Sequence, residues 1–211
     1  MHRRSPLLPC LVALGLVMTA CSSSGSSSSA PATTVAPMGG SGTMASPDPM
    51  ASPGAGSFDQ AFIDMMVPHH QSAIEMAKVA QERAERSEIK TLAGEIIAAQ
   101  TAEIDQLRSW RKLWFGSDQT PGMEAMPILP GMNKGGMNMD MTADVEALKK
   151  AAPFDKAFIE AMTEHHQMAI EAAKLAQANA TQSDIKNMAG EIIAAQEAEI
   201  SKMAEWLAAW Y

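Results

Sequence analysis

Residues 58–115 and 154–211 align without a gap, and 33 of the 58 aligned positions are identical. This internal duplication limits the possible folds strongly, because a repeated unit packs against its own copy. Each copy is rich in Ala, Glu, Gln, Ile and Lys and has little Gly or Pro, so strand signals are weak. The repeat therefore predicts two helical hairpins that pack into an all-α four-helix bundle with pseudo-twofold symmetry.

Helix boundaries can be placed within each copy. The first helix of the first copy is predicted over residues 58–84, where Ser57 and Gln60 have the spacing of a capping box. In the second copy, Pro153 is a favoured first-turn residue. Serines should cap the second helix of each copy and tryptophans lie near its end: Ser87 with Trp114, and Ser183 with Trp210.

The segment before the repeats looks like a targeting region. Residues 1–20 carry two arginines, then an apolar run and small residues, which is the layout of a signal peptide. The following "MTAC" resembles a bacterial lipobox, and cleavage there would leave Cys21 as a lipidated N-terminus. Residues 21–57 are mainly Ser, Gly, Ala, Pro and Thr, typical of a flexible tether. We predict a lipid-anchored extracytoplasmic protein, or a secreted one if the lipobox is not used.

Charge and cysteine content narrow the chemistry. Removing Arg3 and Arg4 with the leader leaves 14 basic and 24 acidic residues, a net charge of 14 − 24 = −10. This acidic balance argues against nucleic acid as a partner and mildly favours cations. Because Cys21 would carry lipid, the mature domain has no free thiol. Soft-metal chemistry in this domain must therefore use methionine and histidine.

The four histidines of the mature chain fall into two adjacent pairs, each with a methionine three residues upstream. At helical spacing, both rings of a pair flank the buried seam, and the methionine lies one turn before them. Imidazole binds several transition metals, whereas thioether selects soft Cu(I). The candidate metal ligands are Met66, His69, His70, Met162, His165 and His166.

Polar residues interrupt the apolar stripe of each second helix. They are Gln100 and Glu103 in the first copy, and Gln196 and Glu199 in the second. Buried polar groups need partners, and the histidines of the facing helix are the expected ones. Both glutamates therefore join the candidate metal site. The alternative is that each histidine pair bonds its glutamate and only fixes the helix register.

The linker between the repeats, residues 116–153, is unusually rich in methionine. The stretch 120–141 holds six of the 18 methionines of the chain. On an extended chain, the alternating Met137, Met139 and Met141 would place three thioethers on one side and offer a second Cu(I) site. The alternative is that this segment covers the end of the bundle. A short helix is predicted to follow in "ADVEALKKA".

Two other function classes fit less well. A ferritin-like metal-dependent oxidase uses Glu-x-x-His on two helices, and this chain has no such motif. Nucleophile–base and phosphate-binding motifs are also absent from the sequence, so we do not expect an enzyme. A structural module that binds a protein partner stays open, because tryptophans cluster near the helix ends. The sequence does not identify such a partner.

The repeated motifs resemble domain-of-unknown-function family 305. The resemblance lies in "FIDMMVPHHQSAIEMAK" with "EIIAAQTAEIDQL", and in "FIEAMTEHHQMAIEAAK" with "EIIAAQEAEISKM", where Glu164 replaces Pro68. It covers about residues 58–211. It implies a secreted or lipid-anchored bacterial protein with a ferritin-like helical bundle. Some members bind copper and support copper tolerance, so the resemblance implies that the two Met-x-x-His-His motifs hold the metal.

Overall fold

The structure is a computed structural model that describes residues 58–132 and 141–211. Within these ranges all regular secondary structure is helical, with no strand, which confirms the all-α prediction. The α-helices are α1 (Phe58–Arg83), α2 (Ser87–Phe115), α3 (Met141–Leu148), α4 (Phe154–Asn179) and α5 (Ser183–Trp210), and a short 3-10 helix spans Met123–Ala125. The predicted signal peptide, Cys21, the tether, Met137 and Met139 lie outside the described residues.

The two repeats form two hairpins, α1 with α2 and α4 with α5, and α1 packs on α4. Their apolar side chains make two core clusters. The first contains Phe62 of α1, Leu107 of α2 and Ile192 of α5. The second contains the repeat equivalents of two of these residues, Phe158 of α4 and Ile96 of α2. Each cluster therefore combines the beginning of the first helix of one repeat with the end of the first helix of the other repeat.

The predicted serine caps are wrong. Ser87 and Ser183 are the first residues of their helices, and the residues before them make no side-chain capping bond. The hydroxyl of Ser87 instead donates to the carboxylate of Glu88. Pro153 likewise precedes α4 rather than lying in its first turn. Ser57, the other predicted cap, lies outside the described residues.

The backbone amides of each hairpin turn donate hydrogen bonds to an aspartate of the other repeat. Asp155, at the start of α4, accepts hydrogen bonds from the backbone amides of Glu85 (3.0 Å) and Arg86 (3.1 Å). Asp59, at the start of α1, accepts from the backbone amide of Thr181 (2.9 Å) and from its hydroxyl. Each repeat therefore caps the turn of the other, and buried acceptors replace the local serine caps.

The short helix α3 confirms that the linker contains a helix. Met141, Val145 and Leu148 have the i, i+4, i+7 spacing of one helical face, and all three are buried. The expectation that Met141 lies in an extended, unpacked segment is therefore wrong. The guanidinium of Arg83 donates to the carbonyls of Leu148 and Ala151, which ties the end of α3 to α1.

The helix α1 continues without a break through Pro68. Among the helices that the structure describes, none has the length and apolar character needed to cross a membrane.

Candidate metal centre

The histidines of the two repeats meet at the middle of the bundle. The rings of His69 and His165 have centroids 3.8 Å apart and are inclined by 38°. Each stands next to the second histidine of its pair, with centroids 6.2 Å apart for His69 and His70, and 6.3 Å apart for His165 and His166. All four are buried. We call these four rings the histidine layer.

The outer histidine of each pair contacts a glutamate of the neighbouring helix. His70 Nε2 lies 2.8 Å from Glu103 Oε2, although this approach does not have hydrogen-bond geometry. His166 Nε2 lies 2.6 Å from Glu199 Oε2 and is hydrogen-bonded to it. The predicted contacts of the histidines with these glutamates are thus confirmed, whereas Oε1 of Gln100 and of Gln196, which were expected to pair with histidines too, have no hydrogen-bond partner among the described atoms. Because the glutamates are partly exposed, they connect the histidine layer to the surface of the bundle.

Ser72 makes the centre of the layer asymmetric. Its hydroxyl donates to the carbonyl of His69 (2.8 Å) and lies 2.6 Å from His165 Nε2. Since the only hydroxyl proton goes to the carbonyl, Oγ acts as the acceptor for His165, which then carries its proton on Nε2. The Nδ1 of His165 keeps its lone pair. The equivalent residue of the second repeat is Met168, which has no hydroxyl.

The central rings are electrically neutral near pH 7. Burial lowers the pKa of His69 well below its ordinary value of 6.5, and the neighbouring His165, His70 and His166 lower it further. Burial also lowers the pKa of His165 well below 6.5, with smaller effects from His166 and His70. Neutral imidazole is the form that binds metal ions.

Several buried polar atoms of this region have no hydrogen-bond partner among the described protein atoms. They are both ring nitrogens of His69 and of His70, Nδ1 of His165 and of His166, and Oε1 of Gln100 and of Gln196. Unpaired buried polar atoms cost free energy, and their concentration in one layer calls for a ligand, an ion or water. Nitrogen lone pairs of this kind fit a transition metal ion.

The histidines do not form a complete metal site by themselves. In the described ranges, no group of three His, Cys, Asp or Glu side chains is arranged to hold a metal ion. A coordination shell here would therefore need thioether donors as well. Met66 and Met162 are both fully buried, Met66 in the first core cluster and Met162 in the second.

Sequence reasoning missed two further methionines, Met76 and Met168. With Met141 and His165 they line a cavity of about 60 Å³. Both are unrepeated, because the other copy has Ala172 and Ser72 at the equivalent positions. That loss of symmetry is the only signal in the sequence that could have drawn attention to them. Ser72 was missed as well, and its contact with His165 depends on the packing of α1 on α4.

Comparison with known proteins identifies the family. The model of the DUF305 family, a domain of unknown function, matches residues 59–207, and the chain therefore belongs to this family. A search of curated protein sequences finds no match.

Solved structures agree with this assignment. CopM in its Cu(II)-bound form is 40% identical, with a TM-score of 0.60 over 72% of this chain and 97% of that one. CopM in its Cu(I)-bound form is 37% identical, with a TM-score of 0.59 and the same coverage. A DUF305 protein from Streptomyces coelicolor, thought to be secreted, is 29% identical, with a TM-score of 0.59 over 72% of this chain and 93% of that one.

Proposed function

We propose that this DUF305 protein binds copper outside the cytoplasm and holds it as Cu(I) through methionine and histidine. It would buffer the ion or pass it on rather than catalyse a reaction. The observation that carries the proposal is the histidine layer. Four buried imidazoles, six of whose ring nitrogens have no hydrogen-bond partner among the described protein atoms, lie between two core clusters that each contain a motif methionine.

The donor types favour copper over harder metals. Thioethers select Cu(I), and neutral imidazole is a good ligand for copper. In this proposal, Met66, His69 and His70 and their equivalents Met162, His165 and His166 supply the ligands. Glu103 and Glu199 contact the outer histidines and would orient them, as carboxylates do beside metal-bound imidazoles. Met137 and Met139 would add thioethers from the linker.

Structures of CopM support the proposal. They contain Cu(I), Cu(II) or silver, and Ag(I) shares the preference of Cu(I) for soft ligands. The identity of 37–40% extends over 72% of this chain, which includes both repeats.

The cellular location is part of the same proposal. Residues 1–20 would direct export, Cys21 would carry a lipid, and residues 21–57 would tether the bundle to the membrane surface. If the lipobox is not used, the protein would be secreted. The Streptomyces coelicolor relative, thought to be secreted, supports an extracytoplasmic location.

A metal-free helical module is the competing function, and one observation favours it. Glu103 and Glu199 already contact the outer histidines, and Ser72 contacts His165. These contacts could serve only to fix how the helices pack. A protein partner would then be sought at the stacked indoles near the helix ends, Trp110 with Trp114 and Trp206 with Trp210.

An anaerobic titration separates the two functions. The purified full chain is titrated with Cu(I) against a competing chelator, with Zn(II) and Fe(II) in parallel. We expect tight Cu(I) binding whose affinity or stoichiometry falls in the His69→Ala, His70→Ala double variant, with circular dichroism to verify its helicity. Unchanged copper affinity and stoichiometry in a folded double variant would contradict the site. If the wild-type chain binds no metal, the metal-free module is the better function.

A further inference from the structure

A cavity of about 60 Å³ lies beside the histidine layer, where α1, α3 and α4 meet. Each helix contributes one methionine to its lining: Met76 from α1, Met141 from α3 and Met168 from α4. These side chains are only 1–3% exposed. His165 is the fourth donor at this cavity and, at 5% exposure, the most accessible ring of the histidine layer. The volume is enough to admit an ion or a water molecule, because a cavity needs roughly 10–15 Å³ of such space to hold one water.

The sequence departs from its internal symmetry at this cavity. Met76 and Met168 correspond to Ala172 and Ser72 in the other repeat, so their thioethers occur on one side of the bundle only. Ala161 also lines the cavity, and its equivalent in the first repeat is the larger Met65. A small residue therefore leaves space beside the unrepeated methionines.

His165 is prepared as a nitrogen donor. Ser72 accepts from its Nε2, as described above, and its Nδ1 has no hydrogen-bond partner among the described protein atoms, so this nitrogen is available to a ligand in the cavity.

Two carboxylates stand at the same cavity. Asp144 of α3 and Glu164 of α4 are among the lining residues, and Glu164 is exposed. Glu164 replaces the proline found at the equivalent position of the first repeat, Pro68. Negative charge at the entrance raises the local concentration of cations.

We propose that Met76, Met141, Met168 and His165 form a Cu(I) site between α1, α3 and α4. The proposal rests on the copper-binding function above and adds to it a second Cu(I) site, which shares His165 with the histidine layer. Three thioethers and one imidazole are a soft donor set that favours Cu(I) over Zn(II). In this arrangement, α3 completes the site and does not merely connect the two repeats.

The first test removes sulfur while nearly keeping volume. The full chain carrying Met76→Leu, Met141→Leu and Met168→Leu is titrated anaerobically with Cu(I) against a competing chelator. We expect the loss of one Cu(I) equivalent, or a fall in affinity beyond the roughly 10–100-fold that removing an outer-shell partner costs a metal site. Met188→Leu is the matched control, because Met188 is buried and the first repeat has Leu92 at its position. This control should keep full binding.

A second test keeps every sulfur and fills the cavity. Ala161→Leu adds three carbons to the lining, and Ala161 is only partly buried, so the bundle should tolerate it. We expect it to weaken Cu(I) binding as well. X-ray absorption at the copper edge of the wild-type chain with one equivalent of Cu(I) should show mainly sulfur neighbours and one nitrogen. Nitrogen neighbours alone would overturn the proposal.

The outcomes separate this site from the wider copper function. If the wild-type chain does not bind Cu(I), both proposals fail. If it binds and the triple variant keeps full affinity, this location is wrong although the function stands. In that case, loss of binding in Met66→Leu, Met162→Leu would place the ion at the repeated motifs. If the triple variant does not fold, Ala161→Leu and the absorption spectrum decide.

Discussion

His69 and His165 occupy equivalent positions of the two repeats and stack with ring centroids 3.8 Å apart, although 96 residues separate them in the chain. The contact lies where α1 packs on α4, with His69 fully buried and His165 only 5% exposed. Protonation of either ring would place a positive charge beside three other imidazoles. The acid sensitivity of the metal-free protein should therefore originate here.

We expect the metal-free protein to lose stability as the pH falls below about 6.5, the ordinary histidine pKa. The folded-state pKa values of His69 and His165 lie well below that value, so the unfolded chain binds more protons in this window. Each histidine should lower the free energy of unfolding by up to about 1.4 kcal/mol per pH unit. Urea denaturation at pH 7.5 and pH 5.5 measures the difference.

The variant His165→Gln is the control for this pH effect. It removes one of the two titrating groups and should reduce the slope of stability against pH between these values by about half. Equal slopes in the wild-type chain and the variant would show that other groups cause the acid sensitivity.

Replacing Glu199 with Gln should destabilise the bundle by about 1–3 kcal/mol, the usual cost of losing a hydrogen bond to a charged group in a buried setting. Glu199 bonds the fully buried His166, and its own side chain is only 18% exposed. The matched control is Glu197→Gln, because Glu197 is 55% exposed and its distance to Lys174 is 3.4 Å. That change should stay within about 0.5 kcal/mol. Chemical denaturation at pH 7.5 compares the two, and equal effects would rule out a structural role for the contact.

Removing the cap at the first hairpin turn should cost about 1–2 kcal/mol, by analogy with helix-capping residues. Asp155→Ala takes away both acceptors of the Glu85 and Arg86 amides, whereas Asp155→Asn keeps one oxygen. We therefore expect the alanine variant to have a lower urea midpoint than the asparagine variant, and both to lie below the wild type. The reverse order would mean that the carboxylate does not act as a cap.

Bound Cu(I) should stabilise the fold by mass action. At a free Cu(I) concentration 100 times the Kd, the free energy of unfolding should rise by about 2.7 kcal/mol, provided the unfolded chain does not bind the ion. Anaerobic thermal unfolding with and without buffered Cu(I) measures this gain. The His69→Ala, His70→Ala variant should show a smaller gain, because it loses ligands of the histidine layer and keeps only those of the methionine cavity. A gain of equal size in that variant would place the ion elsewhere in the chain.

The role of the linker methionines in copper binding can be tested by substitution, without deleting residues of the core. Removing residues 120–141 would take away the buried Leu129, Met132 and Met141, and truncating one large core side chain already costs about 2–5 kcal/mol. We therefore expect this deletion to destabilise the bundle. Met137→Ser with Met139→Ser should leave the helicity unchanged and lower the Cu(I) capacity if these thioethers bind the ion. Unchanged capacity would assign them no role in storage.

Much of the fold could be predicted from the sequence because the repeat fixes it. The helical hairpins, the helix in the linker and the pairing of Glu103 with His70 follow from spacing along one helix and from the need of buried polar groups for partners. Both rules depend only on residues close together in the sequence. Because the chain is duplicated, each rule gives the same prediction in both repeats.

The remaining features depend on contacts between helices that spacing does not reveal. The serine caps were wrongly assigned because Asp59 and Asp155 reach the turns from the other repeat. Met141 was assigned to an extended segment because its neighbours are polar, yet α3 turns it towards the core. The cavity beside His165 arises only where three helices converge on a small residue, Ala161.

The exchange of aspartates between the repeats has a consequence for how such a chain could have arisen. A single repeat on its own has an aspartate with no turn to cap and a turn with no aspartate. A second copy meets both needs at once, and it also supplies the ring that stacks on the central histidine. The bundle is therefore the covalently joined form of a symmetric pair. Two separate polypeptides, residues 58–115 and 116–211, retain between them every contact of this exchange together with the core residues of the linker, and are the natural halves for reassembly.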